Sequence, residues 1–163
     1  MKVMFFLLVL ALAGNAQAAA AFGARVSHVT DGDTLWVQPD SGKPPRKLRI
    51  DGIDAPEICQ PGGAAARAVL IQHVLHRHVR VAIRRKDNYG RGLARIELDG
   101  RDLGALMVRE GQAWSYRWRR QPGPYAAEEA LARQARRGLF AADQPESPRD
   151  FRRHHGSCYE AKR

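Results

Sequence analysis

The chain has 163 residues, with 27 Lys and Arg against 17 Asp and Glu, and a formal net charge of +10 at pH 7. That length holds one ordinary domain, and the chain has no internal repeat or long low-complexity tract, which excludes a repeat array. The positive field disfavours basic partners and suits a polyanion, either nucleic acid or an anionic membrane surface.

Residues 1–18, MKVMFFLLVLALAGNAQA, have the layout of a secretory signal peptide: Lys2, a short apolar core, and a small-x-small ending at Ala16-Gln17-Ala18. The apolar run is too short to span a bilayer comfortably. Cleavage after a residue between 18 and 21 is expected, giving a periplasmic or secreted protein with no stable membrane association afterwards. Losing this segment removes one lysine and no acidic residue, so a charge of +9 remains. Export to an oxidising compartment bears on the two cysteines, Cys59 and Cys158. A bond between them is expected; the alternatives are separate thiols or pairing with another chain.

ARVSHVT (24–30) and TLWVQ (34–38) read as strands joined through Asp31-Gly32, a pair that commonly marks a tight turn. RKLRIDGI (46–53) reads as a third strand, and DAPEICQPGG as a loop rich in breakers. Residues 64–76 are expected to be helical, with Ala68, Leu70, Ile71, Val74 and Leu75 on the apolar face. VRVAIRR (79–85) and LARIEL (93–98) alternate as strands across the loop KDNYGRG. A short helix is expected over 102–110, stopped by Gly111, and a longer one over 124–138, with Pro124 in its first turn and Gly138 as its cap. The segment from 141 to 163 shows no periodicity and is expected to run extended over the surface.

Five short strands with a helix between the third and fourth fit an α+β domain: a five-stranded OB-fold Greek-key barrel with about three helices. Ile50, Ile53, Val81, Ile83, Leu93, Ile96 and Leu98 are the candidate core.

The chemistry is carried by carboxylates beside strand ends, Asp33, Asp54 and Glu57, and by two arginines, Arg49 and Arg91. Carboxylates in a face that binds phosphate would repel it unless a cation lies between. Hard cations such as Ca²⁺ take carboxylate, carbonyl and water oxygens. Arginine forks can neutralise charge that develops on a phosphodiester, and Glu57 can orient or deprotonate water. Each residue also has a plainer reading on its own. Asp31 and Asp33 can shape a turn, Asp54 can cap a loop, and Arg49 can be an exposed strand residue.

The string DGDT … RKLRIDGIDAPE … DNYGRGLARI resembles the staphylococcal nuclease-like family, the thermonucleases, over residues 24–152, leaving 153–163 as a tail. The resemblance implies an OB-fold, Ca²⁺-dependent nuclease that hydrolyses DNA and RNA and leaves 3′-phosphate ends. It implies Asp33, Asp54 and the backbone carbonyl of Ala55 as calcium ligands, Arg49 and Arg91 as phosphate-binding catalytic residues, and Glu57 as general base. Ala55 stands where many relatives carry Thr. In AWSYRWRR, Tyr116 or Trp118 is a candidate to stack a base, the alternative being that one or both pack at the barrel edge. Phe140 and Phe151 are expected to pin the tail to the domain. His73, His76 and His78 read as a solvated polar face rather than a zinc set. A monomer is expected. The alternative function is a non-catalytic nucleic-acid-binding OB-fold module. A membrane-surface role is disfavoured, because no cationic amphipathic helix with a broad apolar face is present.

Overall fold

The computed structural model describes residues 21–117 and 121–158. Residues 1–18, expected to be a signal peptide, and Trp118, expected as a stacking candidate, lie outside the described residues.

Three strands, β1 (Phe22–Val29), β2 (Thr34–Pro39) and β3 (Arg46–Ile50), form an antiparallel meander. After the two-residue strand β4 (Ile53–Asp54) comes helix α1 (Gly63–Val74), then the hairpin of β5 (His78–Lys86) and β6 (Gly92–Leu98). β5 pairs antiparallel with β1 and with β6, and β6 pairs parallel with β3. That last pairing closes the sheet into a five-stranded mixed barrel, the expected OB-type architecture. A further short strand, β7 (Arg101–Asp102), extends β6 and leads into α2 (Leu103–Arg109). β8 (Trp114–Ser115) pairs with β4. Helix α3 (Ala126–Gln134), a 3₁₀ turn (Gly138–Ala141) and helix α4 (Pro148–His155) complete the described chain.

The barrel interior follows the two-residue period of its strands. Val26, Leu35, Val37, Leu48, Ile50, Val81, Ala94 and Ile96 are each no more than 1% exposed. Leu93 does not join them. Gly92, Ala94, Ile96 and Leu98 face inward, which places Leu93 on the other side of the strand with Arg91. Ile83 is only partly buried and packs against the core from the edge of a bulge in β5.

In α1 the buried stripe is Gly63, Ala66, Leu70 and Val74, while Ala68 is exposed. The stripe descends in steps of three and four residues, so the close-packed helix chooses the small Ala66. Burying Leu70 or Val74 contributes roughly 2 kcal/mol each. α2 begins as the sequence implies. The Asp102 carboxylate accepts from the Ala105 backbone N–H at 3.0 Å, which caps the helix, and Gly111 takes φ +71° beyond its end. α3 ends earlier than its residue pattern implies. Gln134 is its last residue, Arg136 takes φ +49°, and Gly138 instead opens the 3₁₀ turn.

The segment expected to be extended contains α4. Its start is written in Ser147-Pro148-Arg149-Asp150: the Ser147 hydroxyl accepts from the Asp150 N–H at 3.2 Å, and Pro148 occupies the first turn. Phe151 is 8% exposed, and Phe140 packs edge-on against Trp114 with ring centroids 5.7 Å apart. Among the described residues no helix is long and apolar enough to cross a membrane.

Candidate active site

Four short segments converge at one end of the barrel. The β1–β2 connection supplies Asp33. The Asp31 carboxylate accepts from the Asp33 N–H at 3.0 Å and folds the turn. Gly32 has no left-handed φ; its role is proximity. A Cβ there would stand 2.7 Å from the Ala55 methyl and 2.8 Å from that of Ala66. The turn is thereby pressed between the loop after β4 and α1.

Leu48 and Ile50 point into the barrel, so Arg49 between them points out of it, beside Thr34 of the neighbouring strand. Its guanidinium joins the two aspartates. Nη2 lies 2.8 Å from Asp33 Oδ2 and 2.7 Å from Asp54 Oδ1, and Nη1 donates to Asp33 Oδ1 at 2.9 Å. Asp33 is 2% exposed and Asp54 5% exposed. The Asp33 carboxylate also accepts from the Thr34 hydroxyl at 2.9 Å and from the Ala55 backbone N–H at 3.2 Å.

Burial pushes the Asp33 carboxyl up to about 6; the Arg49 charge opposes that rise, and Asp31 adds to it. For Arg49, burial disfavours the charge, yet Asp33 and Asp54 outweigh it and raise the guanidinium above its ordinary value. One guanidinium thus serves two buried carboxylates and leaves Asp33 under-compensated. The side chains here that can ligate a cation offer oxygen only, the Asp33 and Asp54 carboxylates and the Thr34 hydroxyl, and the carboxylate oxygens are held by Arg49 and Arg152. The set fits a hard divalent cation of the Ca²⁺ type.

Glu57 lies in the loop between β4 and α1. Its N–H donates to Gln60 Oε1 at 3.1 Å, and its carbonyl accepts from the Gln60 N–H at 2.9 Å. Gly63, at the start of α1, packs against this carbonyl so closely that a Cβ would collide with it. The Glu57 side chain meets a residue absent from the candidate set: Arg152 of α4, whose Nη1 donates to Glu57 Oε1 at 2.7 Å. Arg152 Nη2 donates to Asp54 Oδ2 at 3.1 Å. Against the cost of burial, hydrogen bonding and charge from Asp54, then Glu57, raise Arg152 above its ordinary value. The sequence did carry a signal for it, the helix-start pattern at 147–150 that places Arg152 on a folded helix.

The cluster therefore joins Asp33, Arg49, Asp54, Ala55 and Glu57. Arg91 stands apart from it. Its Nε donates to Asp87 Oδ2 at 2.7 Å, its guanidinium carbon lies 5.3 Å from the centre of the Tyr89 ring, and no described ion pair links it to the cluster. Burial works to raise the Asp87 carboxyl, but hydrogen bonds from Arg91 and Tyr89 outweigh it and hold it below its ordinary value. Tyr116, 40% exposed, lies just beyond β8. Its N–H donates to the Gly52 carbonyl at 2.8 Å, which anchors its backbone beside the β3–β4 turn. Cys59 and Cys158 are joined by a disulfide, with Cα atoms 5.7 Å apart. The histidines disperse: His73 meets Glu110 at 3.0 Å and His78 meets Asp40 at 2.6 Å. Among the described residues, no three His, Cys, Asp or Glu side chains gather into a metal cluster.

A closed five-stranded barrel with an acidic and arginine-rich cluster at one end defines an α+β domain of OB type. Residues 47–142 match the family described as Staphylococcal nuclease homologue, and the chain belongs to that family. It is 33% identical over 129 residues to an uncharacterized endonuclease of Haemophilus influenzae, covering 79% of this chain and 72% of that protein. It is 35% identical over 148 residues to Protein ParB of Escherichia coli, covering 82% and 81%. It is also 34% identical over 107 residues to Staphylococcal-like nuclease CAN1 of Arabidopsis thaliana, 66% of this chain but 33% of that longer protein.

Proposed function

We propose that this chain is an exported nuclease, a phosphodiesterase that cleaves DNA and RNA endonucleolytically with low sequence specificity, depends on Ca²⁺ and leaves 3′-phosphate ends. The observation that carries the reading is the convergence of Asp33, Asp54 and Glu57 on arginine guanidinium groups at one end of a strongly basic barrel. The carboxylates of Asp33 and Asp54, with the Ala55 carbonyl, would hold the cation. When bound, the cation would neutralise negative charge on the scissile phosphate.

The chain's own residues supply the rest. Arg49 is held rigidly by the two aspartates and presents a delocalised positive charge where phosphate oxygens gain charge in the transition state. Arg91 would add a second fork from the β5–β6 loop once substrate competes with Asp87 for it. Glu57 would accept the proton of the attacking water or hold that water in line. Tyr116 and Trp118 are candidates to stack a base of the bound strand.

The test is digestion of plasmid, single-stranded DNA and RNA with Ca²⁺ and with a chelator. Cleavage that persists under chelation refutes the calcium requirement. Glu57→Ala and Arg49→Ala are each expected to slow cleavage by about 10²-fold or more. Unchanged rates in both would overturn the residue assignment. Tight binding of DNA without cleavage under any condition would instead support the non-catalytic module.

A further inference from the structure

Three separate links join the C-terminal segment to the loop that carries Glu57. The buried Gln60 side chain accepts from the Glu57 N–H and donates through Nε2 to the Glu146 carbonyl at 2.8 Å. The Cys59–Cys158 disulfide spans a sequence separation of 99. Between these ties, Arg152 bridges Glu57 and Asp54. Each link has its C-terminal end beyond residue 142, where the family match ends.

An arginine 36% exposed and paired only by charge would contribute little and would sample many rotamers. Here its helix is capped by Ser147, seated by Phe151 and joined covalently just past its end. The guanidinium is therefore delivered to its partners instead of having to find them. The contact is also selective within Glu57. Arg152 takes Oε1, while Oε2 has no hydrogen-bond partner among the described residues. A carboxylate held by one oxygen keeps the other oriented to receive a proton. Because the second arm of the same fork grips Asp54, Glu57 is set at a fixed distance from the aspartate pair.

We propose that Arg152 is a positioning residue of the active site, delivered by the disulfide-tethered helix α4 to hold the Glu57 carboxylate against Asp54. This rests on the nuclease reading above. Misplacing a reacting group by about 1 Å can cost roughly 10²-fold in rate, so the effect falls on turnover and leaves substrate affinity nearly unchanged.

The experiment measures steady-state cleavage of a fluorogenic oligonucleotide by the whole mature chain, together with hydrogen exchange of the Gln60 amide. Arg152→Met is expected to lower kcat by about 10²-fold with KM nearly unchanged, and to speed exchange at Gln60. Arg152→Lys, which keeps a positive charge beside Glu57, should recover part of kcat. The double variant Cys59→Ser with Cys158→Ser should lower kcat too, and adding Arg152→Met to it should cost less than in the disulfide-bonded protein. Circular dichroism of each variant confirms that it is folded. An active wild type whose kcat is indifferent to Arg152→Met overturns the positioning role alone. So does a rise in KM at constant kcat, which would make Arg152 a phosphate ligand, or a gain in activity, which would make it a latch. A wild type with no activity on any substrate overturns the nuclease reading and this role with it.

Discussion

Replacing Arg49 with methionine removes the guanidinium but keeps most of the side-chain volume, so the change isolates charge from packing. Arg49 lies within 2.8 Å of both Asp33 and Asp54, and its side chain is only 19% exposed. Asp54 retains Arg152 at 3.1 Å after the change, whereas Asp33 retains only the Thr34 hydroxyl and the Ala55 N–H. The net loss is thus close to that of one buried carboxylate stripped of its ion partner, about 3–5 kcal/mol. A domain of this size shifts by about 3 °C per kcal/mol, so the chelated variant should melt about 10 °C below the wild type at pH 7.5.

The deficit should also depend on pH, and its sign follows from Asp33. Burial already holds that carboxyl at about 6, above its ordinary 3.8, and removing Arg49 takes away the largest influence that lowers it. A carboxyl raised in the folded state contributes stability that is full below its unfolded pKa and is lost as pH rises through its folded pKa. The gap between variant and wild type should therefore narrow toward pH 5 and widen toward pH 8. Differential scanning calorimetry in chelator across that range is the assay. Arg77→Met serves as a control, because its ion pair with Asp99 is exposed on both sides and should cost under about 0.5 kcal/mol. A melting point for Arg49→Met within 2 °C of wild type at pH 7.5 would refute the reasoning, as would a gap that widens in acid.

Calcium at about 100 times its dissociation constant should raise the stability of the wild type by about 2.7 kcal/mol. A melting curve indifferent to Ca²⁺, or one that shifts equally in Asp33→Asn with Asp54→Asn, would remove those aspartates from the ion site. Reducing the disulfide should lower stability by about 2–4 kcal/mol, and an unmoved denaturant midpoint would count against that. Gly63→Ala places a Cβ against the Glu57 carbonyl. It should therefore displace the loop and lower cleavage more than it lowers the melting temperature; the reverse order would show that the loop yields freely.

The barrel was legible because most of its strand residues alternate and its turns are punctuated by Gly, Pro and Asp. Leu48, Ile50, Ile96 and Leu98 are where a period of two puts them. Leu93 broke that period, and the fold placed Ala94 inward instead. Ala66 and Ala68 look alike as residues. The face of α1 that docks on the barrel decides between them: Ala66 lies one turn before Leu70 on the buried stripe, where Gly32 packs against it, and Ala68 faces away. At 147–150 the cap signal was present, but high polarity masked a helix that a single buried aromatic, Phe151, holds in place.

The chemistry available to this protein can be read from its residues in order. The sequence shows carboxylates beside strand ends, an arginine among inward-facing apolar residues, a basic surface, and two cysteines open to pairing with each other. These are properties of residue type and local spacing. Tertiary structure alone decided which of them meet. Asp33 and Asp54 share one guanidinium because β2 and β3 are neighbours and β4 turns back beside them. Arg152 reaches Glu57 across 95 residues because a disulfide and a buried amide bring α4 to that loop. Arg91 remains with Asp87, within its own loop. The physical reason is that ion pairs and hydrogen bonds act over a few ångströms in space, and separation along the chain does not measure that distance.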